Sequence, residues 1–170
     1  MTLPPDAPWH LTGECVIAAV PGARPGPLPP GICRLPGPAV LVAVAYDTSP
    51  VGPYLELAVA EPARAGLRPG LCVTTMVVSS AESRVAGVVN WGFPKELGTL
   101  AWLPTGDGVE VCWNERGVVV RAASRARWSV PSAVVLPILQ RRSDGSVTVR
   151  ARVHGRARPA RVSVAVPQSR

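Results

Sequence analysis

The chain has 170 residues, of which 47% are hydrophobic and 17% are charged, and its formal net charge is +7. This composition excludes wholesale disorder, and the length predicts a single domain, residues 1–170, whose core needs no disulfide or metal for stability. The longest apolar run, residues 39–46, is too short to cross a bilayer, and the first residues lack the basic and apolar regions of a secretory signal. We therefore expect a cytoplasmic protein without a membrane partner.

Short valine-rich segments separated by proline and glycine turns predict a mainly β fold. In chain order, strands are predicted at residues 14–20, 39–46, 54–60, 71–78, 99–103, 109–113, 118–122, 133–139, 147–153 and 160–166. One helix is predicted over residues 80–88, because Ser79-x-x-Glu82 has capping-box spacing and Pro94 prevents continuation past Phe93. These elements predict a β-rich α+β fold, in which an antiparallel sheet closes or folds over on itself.

The four cysteines are far apart in the sequence and form no C-x-x-C pair. They are Cys15, Cys33, Cys72 and Cys112. Each lies beside an apolar residue, so we expect buried, reduced thiols. The spacing predicts no metal site, and we expect no cofactor.

The positive charge is concentrated at the end of the chain, where the last thirty residues hold eight arginines and one acid, Asp144. Arginine alternates with valine or alanine there, which is typical of the solvated face of an edge hairpin. No aromatic residue follows Trp128, so a platform for stacking bases is missing and we expect no nucleic-acid partner. The basic residues considered are Arg141, Arg142, Arg150, Arg152, Arg156, Arg158 and Arg161.

Lys95 is the single lysine among eighteen basic residues. Arginine stays charged, whereas a desolvated lysine can lose its proton and attack a carbonyl carbon to form a Schiff base. Apolar neighbours could desolvate the amine, namely Trp91, Phe93, Leu97 and Trp102. Glu96 would stabilise the ammonium form, but adjacent residues of an extended chain point to opposite faces. An accidental surface lysine is the alternative interpretation.

The segment from Gly87 to Gly98, with a helix running into Gly-Phe-Pro-Lys95, resembles the active-site segment of the acetoacetate decarboxylase family. The segment from Asp47 to Leu57 also resembles the family's segment that ends in Tyr-x-Glu. The resemblance runs over residues 40–103 and implies a β-rich cone or barrel with a central cavity. It also implies that Lys95 is the Schiff-base nucleophile.

The resemblance further implies roles for the residues around Lys95. Glu56 would orient the substrate or move a proton, and Tyr54 shares its strand face. Trp91, Phe93 and Trp102 would bind the substrate and exclude water. A half-buried strand with a solvated polar face is the alternative for Tyr54 and Glu56.

Two departures from the family pattern bear on the reaction. Family decarboxylases commonly have Gly-Arg-Glu where this chain has Gly87-Val-Val, and a second lysine where it has Glu96. We therefore predict a Schiff-base-forming lyase that acts on a small β-keto acid or ketone, by decarboxylation or by aldol or dehydration chemistry. We also expect a homo-oligomer. The alternatives are a non-catalytic small-ligand-binding protein on the same scaffold and a basic nucleic-acid-associated protein.

Overall fold

The computed structural model describes residues 4–21 and 26–167, and this part of the chain contains twelve strands and one α-helix. The strands are β1 (Thr12–Val20), β2 (Ile32–Arg34), β3 (Ala39–Thr48), β4 (Tyr54–Ala65), β5 (Arg68–Val78), β6 (Lys95–Leu97), β7 (Leu100–Thr105), β8 (Gly108–Trp113), β9 (Val118–Ala123), β10 (Val130–Arg142), β11 (Gly145–Ala157) and β12 (Arg161–Ala165). The helix α1 (Ala81–Trp91) lies between β5 and β6, and a short 3₁₀ helix (Asn114–Arg116) connects β8 to β9. The mainly β fold with one α-helix ahead of Gly-Phe-Pro-Lys is thus confirmed.

Each predicted strand forms, and most extend further than the alternating pattern indicates. Two strands of three residues each, β2 and β6, were not predicted. Such short strands carry too little alternation to be recognised, and each forms only because a longer strand offers free hydrogen-bonding groups beside it. The second one begins at Lys95, the predicted nucleophile.

The strands form two sheets. The larger has eight strands in the order β1-β3-β4-β5-β10-β11, with β2 added beside β4 and β6 beside β5, and it curls into a half-barrel. The smaller has the order β12-β9-β8-β7. Pairing is antiparallel except where β6 and β10 run parallel to β5. Strand β5 thus pairs with β4 along one edge and with β10 and β6 along the other, and β6 begins at Lys95.

Alternation along β4 separates two hydrophobic clusters. Leu57 belongs to a cluster that joins the two sheets and includes Val111 and Trp113. Ala58 belongs to a second cluster with Met76 and Ile138, on the opposite face. Because successive strand residues point to opposite faces, Tyr54 and Glu56 share the face of this second cluster.

The helix begins one residue later than the predicted capping box. Ser80 is the N-cap, and its hydroxyl accepts the backbone N–H of Ser83 at 3.1 Å. Ser79 instead accepts the backbone N–H of Leu55 at 2.8 Å and so ties the chain to β4. The helix ends at Gly92, whose φ of 70° suits glycine and whose N–H bonds to helix carbonyls. This stop directs the chain back toward β5.

The basic hairpin is confirmed as an edge structure. Strands β10 and β11 pair from Val130 with Ala157 to Arg142 with Gly145, and β11 is the last strand of the larger sheet. Arg150 and Arg152 are exposed on it.

In the described residues, no helix has the length and hydrophobicity that a bilayer crossing needs.

The cysteine prediction is only partly right. All four thiols are free, but Cys15 and Cys33 are exposed, whereas Cys72 is buried and Cys112 is half-buried. Cys15 and Cys33 lie next to the buried residues Val16 and Ile32, so strand alternation turns their own side chains outward.

Candidate active site

Lys95 enters the larger sheet directly after a tight turn. Its backbone N–H donates to the carbonyl of Phe93 at 2.8 Å, and Pro94 stands between them. In the sheet, Lys95 lies opposite Met76 of β5. Its side chain is only 4% exposed, so the amine lies within the protein rather than on the surface. The interpretation of Lys95 as an accidental surface lysine is therefore wrong.

Three groups from two other elements surround the amine. Lys95 Nζ donates to Glu56 Oε2 of β4 at 2.9 Å and to Ser83 Oγ of α1 at 3.0 Å. It also lies 5.5 Å from the centre of the Tyr54 ring. A buried ammonium group needs such partners, because removing a charge from water costs several kcal/mol unless it is paired.

Glu56 is the charge partner of the amine. Its side chain is 9% exposed, and its second oxygen, Oε1, accepts a long hydrogen bond of 3.4 Å from the hydroxyl of Tyr46. Tyr46 and Tyr54 lie opposite each other on β3 and β4, with ring centroids 4.7 Å apart. The alternative of a solvated polar face for Tyr54 and Glu56 is wrong, since both side chains are buried.

Burial and charge keep both tyrosines neutral. Burial raises the pKa of Tyr46 well above its ordinary value, and the nearby Glu56 carboxylate raises it further. Burial, followed by the charge of Glu56, also raises the pKa of Tyr54, while hydrogen bonds with Ser83 and Tyr46 partly oppose this increase. At neutral pH the site therefore contains phenol hydroxyl groups and no phenolate.

Aromatic side chains extend from the end of α1. The Trp91 and Phe93 rings lie 6.0 Å apart, and Phe93 packs against the cluster that contains Ala58 and Met76. Trp9 meets Trp91 edge to face at 5.1 Å. Trp91 and Phe93 thus lie on the side of the sheet that holds Lys95, and Trp9 adds a third ring.

Two of the four apolar residues expected to desolvate the Lys95 amine do not enclose it, namely Trp102 and Leu97. Trp102 lies on β7 of the smaller sheet and packs against the cluster of Leu57 and Trp113, on the other face of β4 from Glu56. Leu97 is 53% exposed. The turn after Leu97 carries the chain into the smaller sheet. Trp102 is therefore far from Lys95 in the fold although it is close in sequence.

Glu96 points away from the amine, as strand alternation predicts. Its carboxylate lies 3.6 Å from the Arg116 guanidinium, and both side chains are well exposed. The direct charge partner of Lys95 is therefore Glu56, and the residue that follows Lys95 takes no part in the buried pair.

Three residues of the site were missed in the sequence. Ser83 and Tyr46 contact Lys95 and Glu56 from other elements, and a single sequence carries no signal for such contacts. Gly87 does carry a sequence signal. A glycine in a helix interior costs about 1 kcal/mol in stability relative to alanine, so its presence indicates a steric or functional requirement. A Cβ atom there would lie 2.5 Å from Lys95 Cδ and 2.6 Å from Cε, so only glycine leaves room for the lysine side chain.

The arrangement offers a nucleophile beside an acid–base group. A lysine amine can attack a carbonyl, and a carboxylate at hydrogen-bond distance can take or return protons. Among the described residues, no three His, Cys, Asp or Glu side chains cluster as metal ligands. A surface groove of about 690 Å³ lies elsewhere, lined by residues that include Asp107, Arg125 and Arg161, and no predicted site residue lines it.

Several solved structures share the fold of this chain. The chain is similar to an acetoacetate decarboxylase from Legionella pneumophila subsp. pneumophila str. Philadelphia 1, with a TM-score of 0.69 and 15% identity over 99% of this chain and 77% of that one. It is also similar to the enduracididine biosynthesis enzyme MppR, solved with the condensation product of pyruvate and imidazole 4-carboxaldehyde. That match has a TM-score of 0.59 and 17% identity over 99% of this chain and 79% of that one.

A third similar structure is an acetoacetate decarboxylase-like enzyme from Sphingomonas wittichii RW1, with a TM-score of 0.51 and 17% identity over 95% and 81% of the two chains. A comparison with curated protein sequences found no match. The family model for acetoacetate decarboxylase matches residues 25–129, which is more than half of the chain. The chain therefore belongs to the acetoacetate decarboxylase family.

Proposed function

We propose that this protein is a Schiff-base-forming lyase that acts on a small β-keto acid or ketone through Lys95. The observation that carries the proposal is the buried amine of Lys95, 2.9 Å from the Glu56 carboxylate and 3.0 Å from the Ser83 hydroxyl. A lysine amine beside a carboxylate can become a nucleophile once the carboxylate has taken its proton. Family membership supports the same assignment.

Glu56 would begin the reaction by accepting a proton from the Lys95 ammonium group. The neutral amine then attacks the carbonyl carbon of the substrate, and the resulting carbinolamine loses water to give an iminium ion. The protonated Glu56 returns its proton to the departing hydroxyl group, so a Glu56 carboxylate again faces a positive charge, now that of the iminium. This matters because an unpaired charge in a buried site is costly.

The iminium then accepts the electron pair of a bond to the α-carbon. In decarboxylation, carbon dioxide leaves, the electron pair forms an enamine, and the α-carbon takes a proton that Glu56 can relay from water. In aldol chemistry, the α-carbon instead loses a proton to Glu56 and adds to a second carbonyl compound, whose oxygen then takes that proton. In dehydration, the α-carbon loses the same proton and a β-hydroxyl group leaves with it as water. Both routes use the same pair of residues, and water then releases the product from Lys95.

The second route has separate support. Val88 and Val89 stand where family decarboxylases have Arg and Glu, and both are exposed on α1. Glu96, which replaces a second lysine, pairs with Arg116 at the surface. A fold relative, MppR, was solved with a condensation product of pyruvate and an aldehyde. We therefore include aldol and dehydration chemistry in the proposal alongside decarboxylation.

Borohydride trapping tests the proposal directly. The protein is incubated with acetoacetate, pyruvate or acetone, reduced, and digested, and the added mass is mapped. Because the chain has one lysine, an adduct can lie only on Lys95 or on the N-terminal amine. We expect it on Lys95, and we expect none in the Lys95→Arg variant, which keeps the positive charge but lacks a nucleophilic amine. Absence of any Lys95 adduct with all three compounds would refute the proposal.

The same experiment distinguishes the alternative of a non-catalytic binding protein, which would bind a carbonyl compound without forming an adduct.

We propose that nucleic acid is not a partner, because Arg150 and Arg152 lie on an edge strand without aromatic neighbours. Salt-sensitive binding of single-stranded or duplex DNA would contradict this.

We also propose a homo-oligomer. The β10–β11 hairpin exposes the apolar side chains of Val130, Val134 and Val153 on one face, and we infer that a second copy covers them. Sedimentation analysis of the wild-type protein, compared with Val134→Lys, tests this. A monomeric wild-type protein at micromolar concentration would overturn the assignment.

A further inference from the structure

Ser83 is a buried polar residue that the mechanism above does not use. It lies in the first turn of α1 with no exposed surface. Its backbone N–H already serves the helix cap by donating to Ser80 Oγ at 3.1 Å. The hydroxyl of Ser83 is therefore free of any capping role, and it contacts Lys95 Nζ at 3.0 Å.

The amine is held by oxygen atoms from two different elements. Glu56 belongs to β4 and Ser83 belongs to α1, while Lys95 itself begins β6. A lysine side chain has four rotatable bonds, so one hydrogen bond leaves Nζ free to swing around its single partner. A second oxygen on an independent element restricts the amine to one place.

The two partners differ in what happens to them during the reaction. When Glu56 accepts a proton, its bond with the amine changes from an ion pair to a hydrogen bond between neutral groups. Ser83 carries no charge, and its oxygen can accept an N–H bond from the ammonium group, from the neutral amine and from the iminium. It is therefore the partner whose contact survives each proton transfer.

We propose that Ser83 is a positioning residue that holds the Lys95 amine in its attacking position while Glu56 gains and loses protons. This inference rests on the proposed function of Lys95. Ser83 touches the nucleophile rather than the substrate. Its removal should therefore slow imine formation and leave the affinity for the carbonyl compound nearly unchanged.

The test measures the rate of borohydride trapping as a function of acetoacetate concentration in the full-length protein. From the dependence one obtains a maximal rate and a half-saturating concentration. For Ser83→Ala we expect the maximal rate to fall about 10- to 100-fold, because misplacing a reacting group by about 1 Å costs up to about 100-fold. The half-saturating concentration should stay within about twofold.

Two further variants separate positioning from stability. Ser83→Cys keeps a weak acceptor of similar size and should recover part of the lost rate, and it replaces the alanine variant if that one does not fold. Glu82→Ala changes the adjacent exposed residue of the same helix turn and should trap at the wild-type rate. Circular dichroism and thermal unfolding check that each variant is folded.

The outcomes are distinct. If the wild-type protein forms no adduct, the proposed function fails and the inference fails with it. If the wild-type protein forms the adduct and folded Ser83→Ala forms it at the same maximal rate, only the role of Ser83 is overturned. A changed half-saturating concentration with an unchanged maximal rate would also overturn it, because it would place Ser83 in substrate binding.

Discussion

Gly87 leaves the space that the Lys95 side chain occupies, and Gly87→Ala tests this directly. The added Cβ would lie 2.5 Å from Lys95 Cδ, whereas ordinary contacts begin at 3.4 Å. The lysine side chain must therefore retreat by about 0.9 Å or rotate away. Since Lys95 Nζ is bonded to Glu56 and Ser83, such a shift breaks or lengthens at least one of these bonds.

The effect on folding should be small compared with the effect on chemistry. Alanine in a helix interior is favoured over glycine by about 1 kcal/mol. Overpacking a filled site costs about 1–3 kcal/mol. The free energy of unfolding should therefore fall by about 0–2 kcal/mol, which lowers Tm by at most about 8 °C for a chain of this size. A displacement of about 1 Å at the nucleophile costs about 100-fold in rate.

The assay is the rate of adduct formation with acetoacetate under borohydride, measured at a temperature where the variant is folded. We expect Gly87→Ala to label Lys95 about 100-fold more slowly than the wild-type protein. Gly155→Ala is the matched control, because a Cβ there meets nothing within 4 Å, and it should label at the wild-type rate. Equal labelling rates for the two variants would show that a side chain at residue 87 does not affect the reactivity of Lys95.

Three further predictions concern the buried pair, the tyrosines and the excluded tryptophan. Lys95→Met should lower the free energy of unfolding by about 3–5 kcal/mol, because it leaves Glu56 buried without its charge partner. Adding Glu56→Gln should restore much of that loss. Urea unfolding measures the stability of both variants, and equal stability of the single and double variants would contradict the prediction. Because Tyr46 and Tyr54 are the two tyrosines in the chain and both have raised pKa values, absorbance at 295 nm should show no tyrosine ionising near pH 10 while the protein is folded. The stability that their burial contributes is complete below about pH 10, where unfolded tyrosine ionises, and should decline as the pH rises above that value; a constant free energy of unfolding between pH 9 and pH 11 would be the contrary result. Trp102→Ala should destabilise the fold by about 3 kcal/mol yet leave the rate of Lys95 adduct formation per folded molecule unchanged, and a slower rate would place Trp102 in the site after all.

The sequence carried most of what local patterns can encode. The ten longer strands were found because alternation and turn residues mark them. Lys95 and Glu56 were proposed because their motifs stand in order along the chain, and the fold brings the two side chains to 2.9 Å. Helix capping was misplaced by one residue, since the spacing to Glu82 pointed to Ser79, whereas Ser79 bonds to β4 and Ser80 caps the helix. The three-residue strand that begins at Lys95 depends on β5 beside it, which no local pattern reveals.

The contacts between distant elements could not be predicted. Ser83 and Tyr46 are ordinary residues in their own segments, and only the packing of α1 and β3 against β4 brings them to Lys95 and Glu56. Trp102 shows the opposite error. It is seven positions from Lys95, but the chain changes sheets between them, so closeness in sequence did not become closeness in space.

The burial of a lone lysine has a practical consequence for measuring motion in this protein. A reagent selective for primary amines modifies free lysine in the same solution at once, but it can reach Lys95, whose side chain is 4% exposed, only when the site opens. The ratio of the two labelling rates is a protection factor, which converts into the free energy of that local opening just as amide hydrogen exchange does. Under the proposed function a carbonyl substrate passes through the same opening, so one labelling measurement would report how often the site admits a reactant.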